Sequence, residues 1–465
     1  MLHRGAFGKP ATIVGTDGDD RILGTAGADV ILGRGGADVI RGRGGDDRIC
    51  GGPNRSRDGR GRPVFERIFG GPGADLLRGG DGLDAVRGGA GDDRAFLGLS
   101  PVVLSSEDEP LLEWATGDLG DDYLAGGPSR DNLDGGGGND VIVGGPGHDE
   151  LRGSEGNNVL HGGPGHDVFY GTLGQDRAFG EGGADTLFGS GDGSVEFWAG
   201  PGDDRAIGGS GTDVIRGEAG NDFVAGGAGE DEVFGDAGDD TLAGADGDDL
   251  LVGGDGLDLV DFRNNYTDAS WGTETRDVRV DLAAGVATGV GVDTLMEMEG
   301  AIAGAGNDVL IGDDGPNIFS LGDVIIVNGT RDVIDGRGAA DTLSWGGSTP
   351  FVGGCCQDVT VDLGKGTASS GDTTATLISV ENVDAYLEGR FGGNHTIIGD
   401  EGPNTLRGGW GADIIAGLGG DDVLDGRAGQ DRLDGGPGRN RSYGGDGRDA
   451  CTNPATEPDA VSCET

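Results

Sequence analysis

Aspartate recurs every nine residues along much of this 465-residue chain, a spacing that could array carboxylates around hard cations. The series runs through Asp20, Asp29, Asp38 and Asp47, then Asp75, Asp84 and Asp93, then Asp122, Asp131, Asp140 and Asp149. Asn158 keeps the phase into Asp167, Asp176 and Asp185. After a one-residue slip near Ser194 come Asp204, Asp213, Asp222, Asp231, Asp240, Asp249 and Asp258. Asp308 stands in a further repeat, and a last run holds Asp413, Asp422, Asp431, Asn440 and Asp449. Carboxylate and carbonyl oxygens suit Ca2+ with its tolerant coordination, whereas Mg2+ demands a stricter octahedron. Zinc would want Cys or His, of which the chain has five each. The phased aspartates are therefore the candidate metal ligands, and calcium the candidate ion.

The elements that would position them follow from the rest of the repeat. Two residues after each aspartate stands an apolar side chain: Ile22, Ile31, Ile40 and Ile49, later Leu133, Ile142, Leu151 and Phe169, later still Ile215, Val224 and Val233. Before each aspartate the chain is glycine-rich, as in Gly144-Gly145-Pro146-Gly147-His148-Asp149. The unit is G-G-x-G-x-D-x-U-x, with U apolar. Its first six residues predict a turn, for which glycine supplies positive φ and close backbone approach. Its last three predict a short strand with U inward and its neighbours outward. Two repeats close one flattened coil, and coils stack by parallel pairing at about 4.8 Å. The expected fold is all-β, a parallel β-roll or β-solenoid of stacked repeats with strand-containing insertions. Asp-Arg-Ala recurs at Arg94-Ala95, Arg177-Ala178 and Arg205-Ala206, placing a small residue inward.

Stacking sets an electrostatic condition. Aspartates 18 apart, such as Asp131 and Asp149, fall one above another. Two charges at about 4.8 Å repel by about 3.5 kcal/mol at an effective dielectric of about 20, and by about 0.9 kcal/mol in water. A cation between turns removes that repulsion and takes turn carbonyls as further ligands. The apolar side chains are too few to offset the ordering of so glycine-rich a backbone, so calcium binding is expected to be part of folding.

This pattern resembles the hemolysin-type, or RTX-like, calcium-binding nonapeptide repeats of bacteria, over roughly two thirds of the chain. The resemblance implies a secreted, calcium-folded protein binding many ions, with a structural or adhesive role. The opening Phe7-Gly8-Lys9-Pro10 and the segment Ile49-Cys50-Gly51-Gly52 resemble secreted members of the family, in which a cysteine often precedes the phenylalanine. Ala6 stands there instead, leaving Cys50 with no evident partner.

Composition narrows the partners. With 106 glycines, 5% aromatic residues and a net charge of -50, the chain would repel nucleic acid and anionic membrane surfaces. No apolar run approaches the roughly 20 residues of a membrane span. Residues 1–10 lack the hydrophobic stretch of a signal peptide, so extracellular placement requires a leader outside this chain or another export route.

The layout expected is an N-terminal cap at 1–10, a calcium-binding roll at 11–96 interrupted at 53–69, and an insertion at 97–116. A second roll at 117–261 leads to a β insertion at 262–302, repeats at 303–344, a β insertion at 345–394, a roll at 395–450 and a cap at 451–465. Arg55, Arg57, Arg60, Arg62 and Arg67 make 53–69 basic, which fits a solvated insertion better than a ligand loop. Pro101-Val102-Val103-Leu104 and Leu111-Leu112-Glu113-Trp114 suggest a flap over one edge. The two β insertions resemble each other, with alternating segments at 278–282 and 293–299 and at 359–363 and 376–383. They read as longer coils continuing the stack.

Cys451 and Cys463 flank the last segment, where a disulfide would tie down a fraying end; Cys355 and Cys356 have no assignable partner. His148 and His166 are 18 apart with His161 nearby, a conceivable transition-metal site that exposed turn positions explain more simply. There is no H-E-x-x-H, G-x-S-x-G or P-loop. A binding or structural protein is thus favoured over an enzyme. The alternative is a solenoid that binds or acts on extracellular polysaccharide or a cell surface, with any activity placed in 262–302 or 345–394.

Overall fold

The computed structural model describes residues 9–54, 64–99, 113–171, 173–189, 191, 193–263, 276–289, 291–304, 306–321, 330–344, 358–385 and 393–452. Cys355, Cys356, Cys463, most of the N-terminal and C-terminal caps, and the centres of the insertions at 53–69 and 97–116 lie outside these. Two compact units divide the chain, Met1–Asp240 and Thr241–Thr465. Among the described residues no helix is long and apolar enough to cross a membrane.

In the first unit the chain alternates between two parallel sheets. One holds Arg21–Leu23, Val39–Arg41, Phe65–Pro72 and Leu83–Ala90 in succession, the other Val30–Leu32, Arg48–Cys50, Leu76–Asp81 and Arg94–Leu99. The register is two repeats: Leu133 pairs with Leu151 and Leu151 with Phe169. Each U side chain meets the U of the coils above and below. Ile31, Ile40, Ile49, Leu133, Leu151 and Ile215 are all fully buried, as a period of two residues requires when one sheet face points inward. The all-β parallel solenoid of stacked repeats is the observed fold.

Insertions are absorbed at the edges without disturbing the sheets. Ile40 pairs with Ile68 and Val86 with Ala115, so the parallel ladder resumes immediately after each inserted segment. The strands Phe65–Pro72 and Glu113–Leu119 belong to the stack, although the sequence boundaries put 65–69 and 113–116 inside insertions. The slip near Ser194 is equally local, with Ala178 opposite Phe197. That small alanine lies across from a large side chain whose ring packs 5.5 Å from Phe169, which accounts for one of the inward alanines.

Many strands are longer than three residues. Glu150–Glu155 runs for six and Leu83–Ala90 for eight. Pairing continues into the glycine turns, where Gly71 lies opposite Gly89. A glycine pair reads as a turn in sequence, yet its backbone still offers donors and acceptors to the next coil.

The second unit uses the same two-sheet plan with a different insertion. Arg279–Asp281, Val286–Thr288 and Val292–Met296 form an antiparallel meander, and so do Thr360–Asp362, Thr367–Ser370 and Thr373–Ile378. The expected longer coils are instead local reversals within one sheet. On the other sheet Val260 pairs directly with Ala301, and Leu343 with Val383. The reversals come from tight turns: the Gly285 N–H donates to the Leu282 carbonyl across 3.1 Å. Gly366 ends a single 3-10 turn in the left-handed conformation, φ 65°, which glycine adopts at no steric cost.

Candidate metal centre

The phased aspartates line two columns, one at each edge of the first unit. One column carries Asp20, Asp38, Asp84, Asp131, Asp149, Asp167, Asp185, Asp204, Asp222 and Asp240; the other carries Asp29, Asp47, Asp75, Asp93, Asp122, Asp140, Asp176, Asp213 and Asp231. All but Asp20, in the first coil, are buried. In the second unit Asp249, Asp308, Asp413 and Asp431 take one edge and Asp258 and Asp422 the other.

Within a column the contact is specific. The backbone N–H of Asp131 donates to Oδ1 of Asp149 across 2.8 Å, that of Asp149 to Asp167 across 2.7 Å, and that of Asp413 to Asp431 across 2.8 Å. One carboxylate oxygen per residue is thereby used. The other, Oδ2, is buried without a hydrogen-bond partner at Asp38, Asp47, Asp75, Asp84, Asp93, Asp122, Asp140, Asp149, Asp167, Asp185, Asp204, Asp213, Asp222, Asp308, Asp422 and Asp431. A buried polar atom left unpaired costs about 1–3 kcal/mol, so a row of them is unstable without something to bind.

All of these oxygens but those of Asp204 and Asp308, whose repeats carry Ala199 and Ala303 there, face the place where the first glycine of the repeat lacks a side chain. A Cβ at Gly144 would lie 2.5 Å from Asp149 Oδ2 and 2.8 Å from the Gly162 carbonyl oxygen of the next coil. A Cβ at Gly162 would lie 2.5 Å from Asp167 Oδ2 and 3.0 Å from the Gly180 carbonyl oxygen. The same carboxylate and carbonyl converge on Gly42, Gly70, Gly88, Gly126, Gly217 and Gly426. Where glycine stands, this is a small, oxygen-lined space into which an added side chain would intrude. Among the described residues no three His, Cys, Asp or Glu side chains gather on one point. Any ion here must draw on backbone carbonyls as well as carboxylates, a donor set that fits calcium.

Burial gives the carboxyls a strong preference for neutralisation. Desolvation, only partly offset by the N–H ladder, raises Asp75, Asp140 and Asp167 to about 6, Asp122 and Asp222 to about 7, and Asp93 and Asp149 to about 8. Neighbouring carboxylates in the column push several of them further in the same direction.

Several residues in the columns were not among the sequence candidates. Glu66 and Glu113 occupy aspartate positions, opposite Asp84 and Asp131 respectively. The signal was present: each stands 18 residues before its aspartate and two before an inward residue, Ile68 or Ala115. In the second unit Asp293 accepts the Asp249 N–H, Glu299 that of Asp258, Asp332 that of Asp308, Asp341 that of Asn317 and Glu381 that of Asp341. Val195 takes an aspartate position and leaves its coil with no carboxylate there, while His395 takes another and donates its N–H to Asp413 across 2.7 Å.

A second ladder runs through the residue before each aspartate. The Asn139 N–H donates to Asp121, the Asn157 N–H to Asn139 and the Asn221 N–H to Asp203. His148 and His166 belong to this ladder. The His166 N–H donates to His148 Nδ1 across 2.8 Å and the Ala184 N–H to His166 Nδ1 across 2.7 Å, with the rings stacked 4.9 Å apart. Both Nδ1 atoms are acceptors for the backbone, so the pair caps turns rather than chelating. On the outer face His161, Phe179 and Trp198 stack ring on ring at 4.8 Å, only 11° and 8° from parallel.

Of the cysteines, Cys50 is free and half-buried, with burial pushing its thiol up. Cys451 is disulfide-bonded; its expected partner Cys463 lies outside the described residues.

A family model for the RTX calcium-binding nonapeptide repeat (4 copies) matches residues 12–52, 65–95, 116–151, 143–178, 165–193, 198–233, 226–260, 301–323, 391–424 and 416–450. No curated protein matches the chain.

Proposed function

The chain belongs to the RTX calcium-binding nonapeptide repeat family, and from that premise we propose that it is a secreted structural or adhesive protein folded by calcium. The observation that carries this reading is the row of buried, unpartnered Oδ2 atoms, most of them converging with a carbonyl oxygen on a glycine. The aspartates of the two columns would hold the ions, with the first-glycine carbonyls of the adjoining coil as further ligands. Bound calcium supplies charge neutralisation and a bridge between coils. The protein's own part is to bury the carboxylates, fix one oxygen of each by the N–H ladder, and keep the cradle free of side chains.

Weak affinity, on the order of 10⁻⁴ to 10⁻³ M as in other extracellular modules, would leave the chain unfolded in a cell interior and fold it outside. Far-ultraviolet circular dichroism of the full chain tests this. In chelator the spectrum should be that of coil, with a cooperative gain of β signal as calcium is added and little gain with magnesium at equal concentration. Full β structure in chelator overturns the reading.

Extracellular polysaccharide or a cell surface remains the partner class suited to such a protein. The outer aromatic stack gives no support to sugar binding, because His161, Phe179 and Trp198 cover one another's faces, and sugars pack on exposed ring faces.

A further inference from the structure

The net charge of -50 is not spread evenly along the chain. Residues 1–99 hold 15 of the 33 basic residues but only 14 of the 83 acidic ones. Seven of those acids, Asp38 and Asp75 among them, are buried in the columns. The remainder of that segment is strongly basic, on an otherwise acidic protein. Part of the excess lies on one sheet face. The positions flanking Ile22, Ile40, Ile68, Val86 and Ala115 hold four arginines and no acidic residue. Register fixes their spacing. Arg21 pairs with Val39, Val39 with Arg67, Arg67 with Ala85 and Ala85 with Trp114. In the neighbouring file Arg41 pairs with Phe69 and Phe69 with Arg87. Arginine thus returns at every second coil of each file, about 10 Å along the stack. Arg21, Arg41 and Arg67 are exposed and, among the described residues, have no carboxylate partner. Of the four, Arg87 alone has one, Asp118 across 2.5 Å. Trp114 ends the first file, 39% exposed, between Ala85 and Asn132, neither of which carries a ring to cover it. The opposite sheet carries Arg94, but its rings Phe96 and Tyr123 pack on each other with centroids 5.6 Å apart.

We propose that this face, from Arg21 to Trp114, binds a linear polysaccharide carrying a carboxylate on alternate sugars. This rests on the calcium-folded, extracellular reading above and names the chemistry of its partner. Guanidinium holds a carboxylate through two parallel N–H donors. An extended glycan advances by roughly the strand-to-strand spacing per sugar, so carboxylates on alternate sugars meet arginines two coils apart. Trp114 offers an uncovered ring to a sugar face, which the sandwiched rings of His161, Phe179 and Trp198 do not. Nucleic acid fits the period less well, with a charge about every 3.4 Å along each strand. A single exposed ion pair contributes little, and affinity comes from several engaged along one chain.

The test is binding of the full chain, in saturating calcium, to immobilised hyaluronate, which has a carboxylate on alternate sugars. Neutral dextran and single-stranded DNA are the comparisons, and circular dichroism checks the fold of each variant. Wild type should bind hyaluronate and not dextran, more weakly as salt is added. Arg21→Ser combined with Arg67→Ser should weaken binding about tenfold, and Trp114→Ala severalfold. Arg94→Ser, on the opposite sheet, should change it little. Should the double serine variant misfold, Arg21→Lys with Arg67→Lys keeps both charges and gives up the planar fork. That variant should still lose a few-fold, and unchanged affinity overturns the proposal. Folded protein that leaves hyaluronate unbound, an equal loss in Arg94→Ser, or tighter binding of DNA also overturns it. Self-association abolished by the double serine variant, with no hyaluronate bound, gives the face to a second copy instead. A chain that stays coil in saturating calcium overturns the calcium reading itself, and this face falls with it.

Discussion

The backbone N–H of Asp204 donates to Oδ1 of Asp222 across 2.7 Å, tying the main chain of one coil to a side chain of the next. Each carboxylate is therefore both a candidate ligand and a strut between coils. Order should pass along the stack by nearest neighbours, and calcium binding should be cooperative for that reason.

Asp231 and Glu230 make a matched pair, adjacent and equal in charge. Asp231 is buried and its Oδ1 accepts the Asp213 N–H across 2.8 Å, whereas Glu230 is exposed. Asp231→Ala should raise the calcium midpoint several-fold and flatten the transition, since it strands a buried donor worth about 1–3 kcal/mol. Glu230→Ala should move it little. Equal shifts in a dichroism titration would show diffuse screening instead of ordered sites.

The raised carboxyl pKa values set a pH dependence for the calcium-free chain. Asp75 at about 6 and Asp93 and Asp149 at about 8 bind protons more tightly folded than unfolded. The stability they contribute is present below about pH 4, the range of an unfolded aspartate, and is lost as pH rises through 6 to 8. In chelator, β signal should be greater at pH 4.5 than at pH 8. With calcium the order reverses for affinity, because protons compete for the same oxygens. A metal-free chain more structured at pH 8 contradicts this account.

Two glycines test the cradle. A methyl at Gly144 falls between Asp149 Oδ2 and the Gly162 carbonyl, while at Gly27 there is nothing within 4 Å. Gly144→Ala should lower the melting temperature in saturating calcium and remove an ion. Gly27→Ala should be neutral or slightly stabilising, by up to about 1 kcal/mol. Indistinguishable melting curves would mean the space beside Asp149 is not used.

His166 offers a check on transition metals. Asparagine fills the same ladder position at Asn139 and Asn157, so His166→Asn should melt like wild type. Zinc should raise the melting temperature of neither. A zinc-dependent rise confined to wild type would reassign the histidines as ligands.

The spacing of Asp131, Leu133, Asp149 and Leu151 makes the coil, its register and its inward face legible in the sequence. What it hid is instructive. Glu66 and Glu113 follow inserted segments, so counting forward from Asp47 or Asp93 loses the phase that counting back from Asp84 or Asp131 recovers. Alternation around Val280 and Leu377 marks strands but carries no sign of direction, and the reversals at Gly285 and Gly366 turned expected coils into meanders. The Asp204 to Asp222 bond joins a backbone donor to a side chain, and residue spacing does not distinguish that from mere proximity.

The pairing of Leu133 with Leu151 and of Ile40 with Ile68 has a bearing on how such a chain can change length. Deleting 18 residues from an unbroken run would remove one whole circuit, and every later residue would meet the same kind of neighbour as before. Deleting nine would keep aspartate over aspartate and apolar over apolar, yet carry all later repeats to the opposite sheet. Stacks of unlike outer residues, such as Arg152 with Tyr170 on one side and Phe179 with Trp198 on the other, would then be cut and rejoined to the wrong column. Gene duplication and loss in this protein should thus count in full circuits, with half-circuits selected against by its decorated exterior and not by its calcium-binding interior.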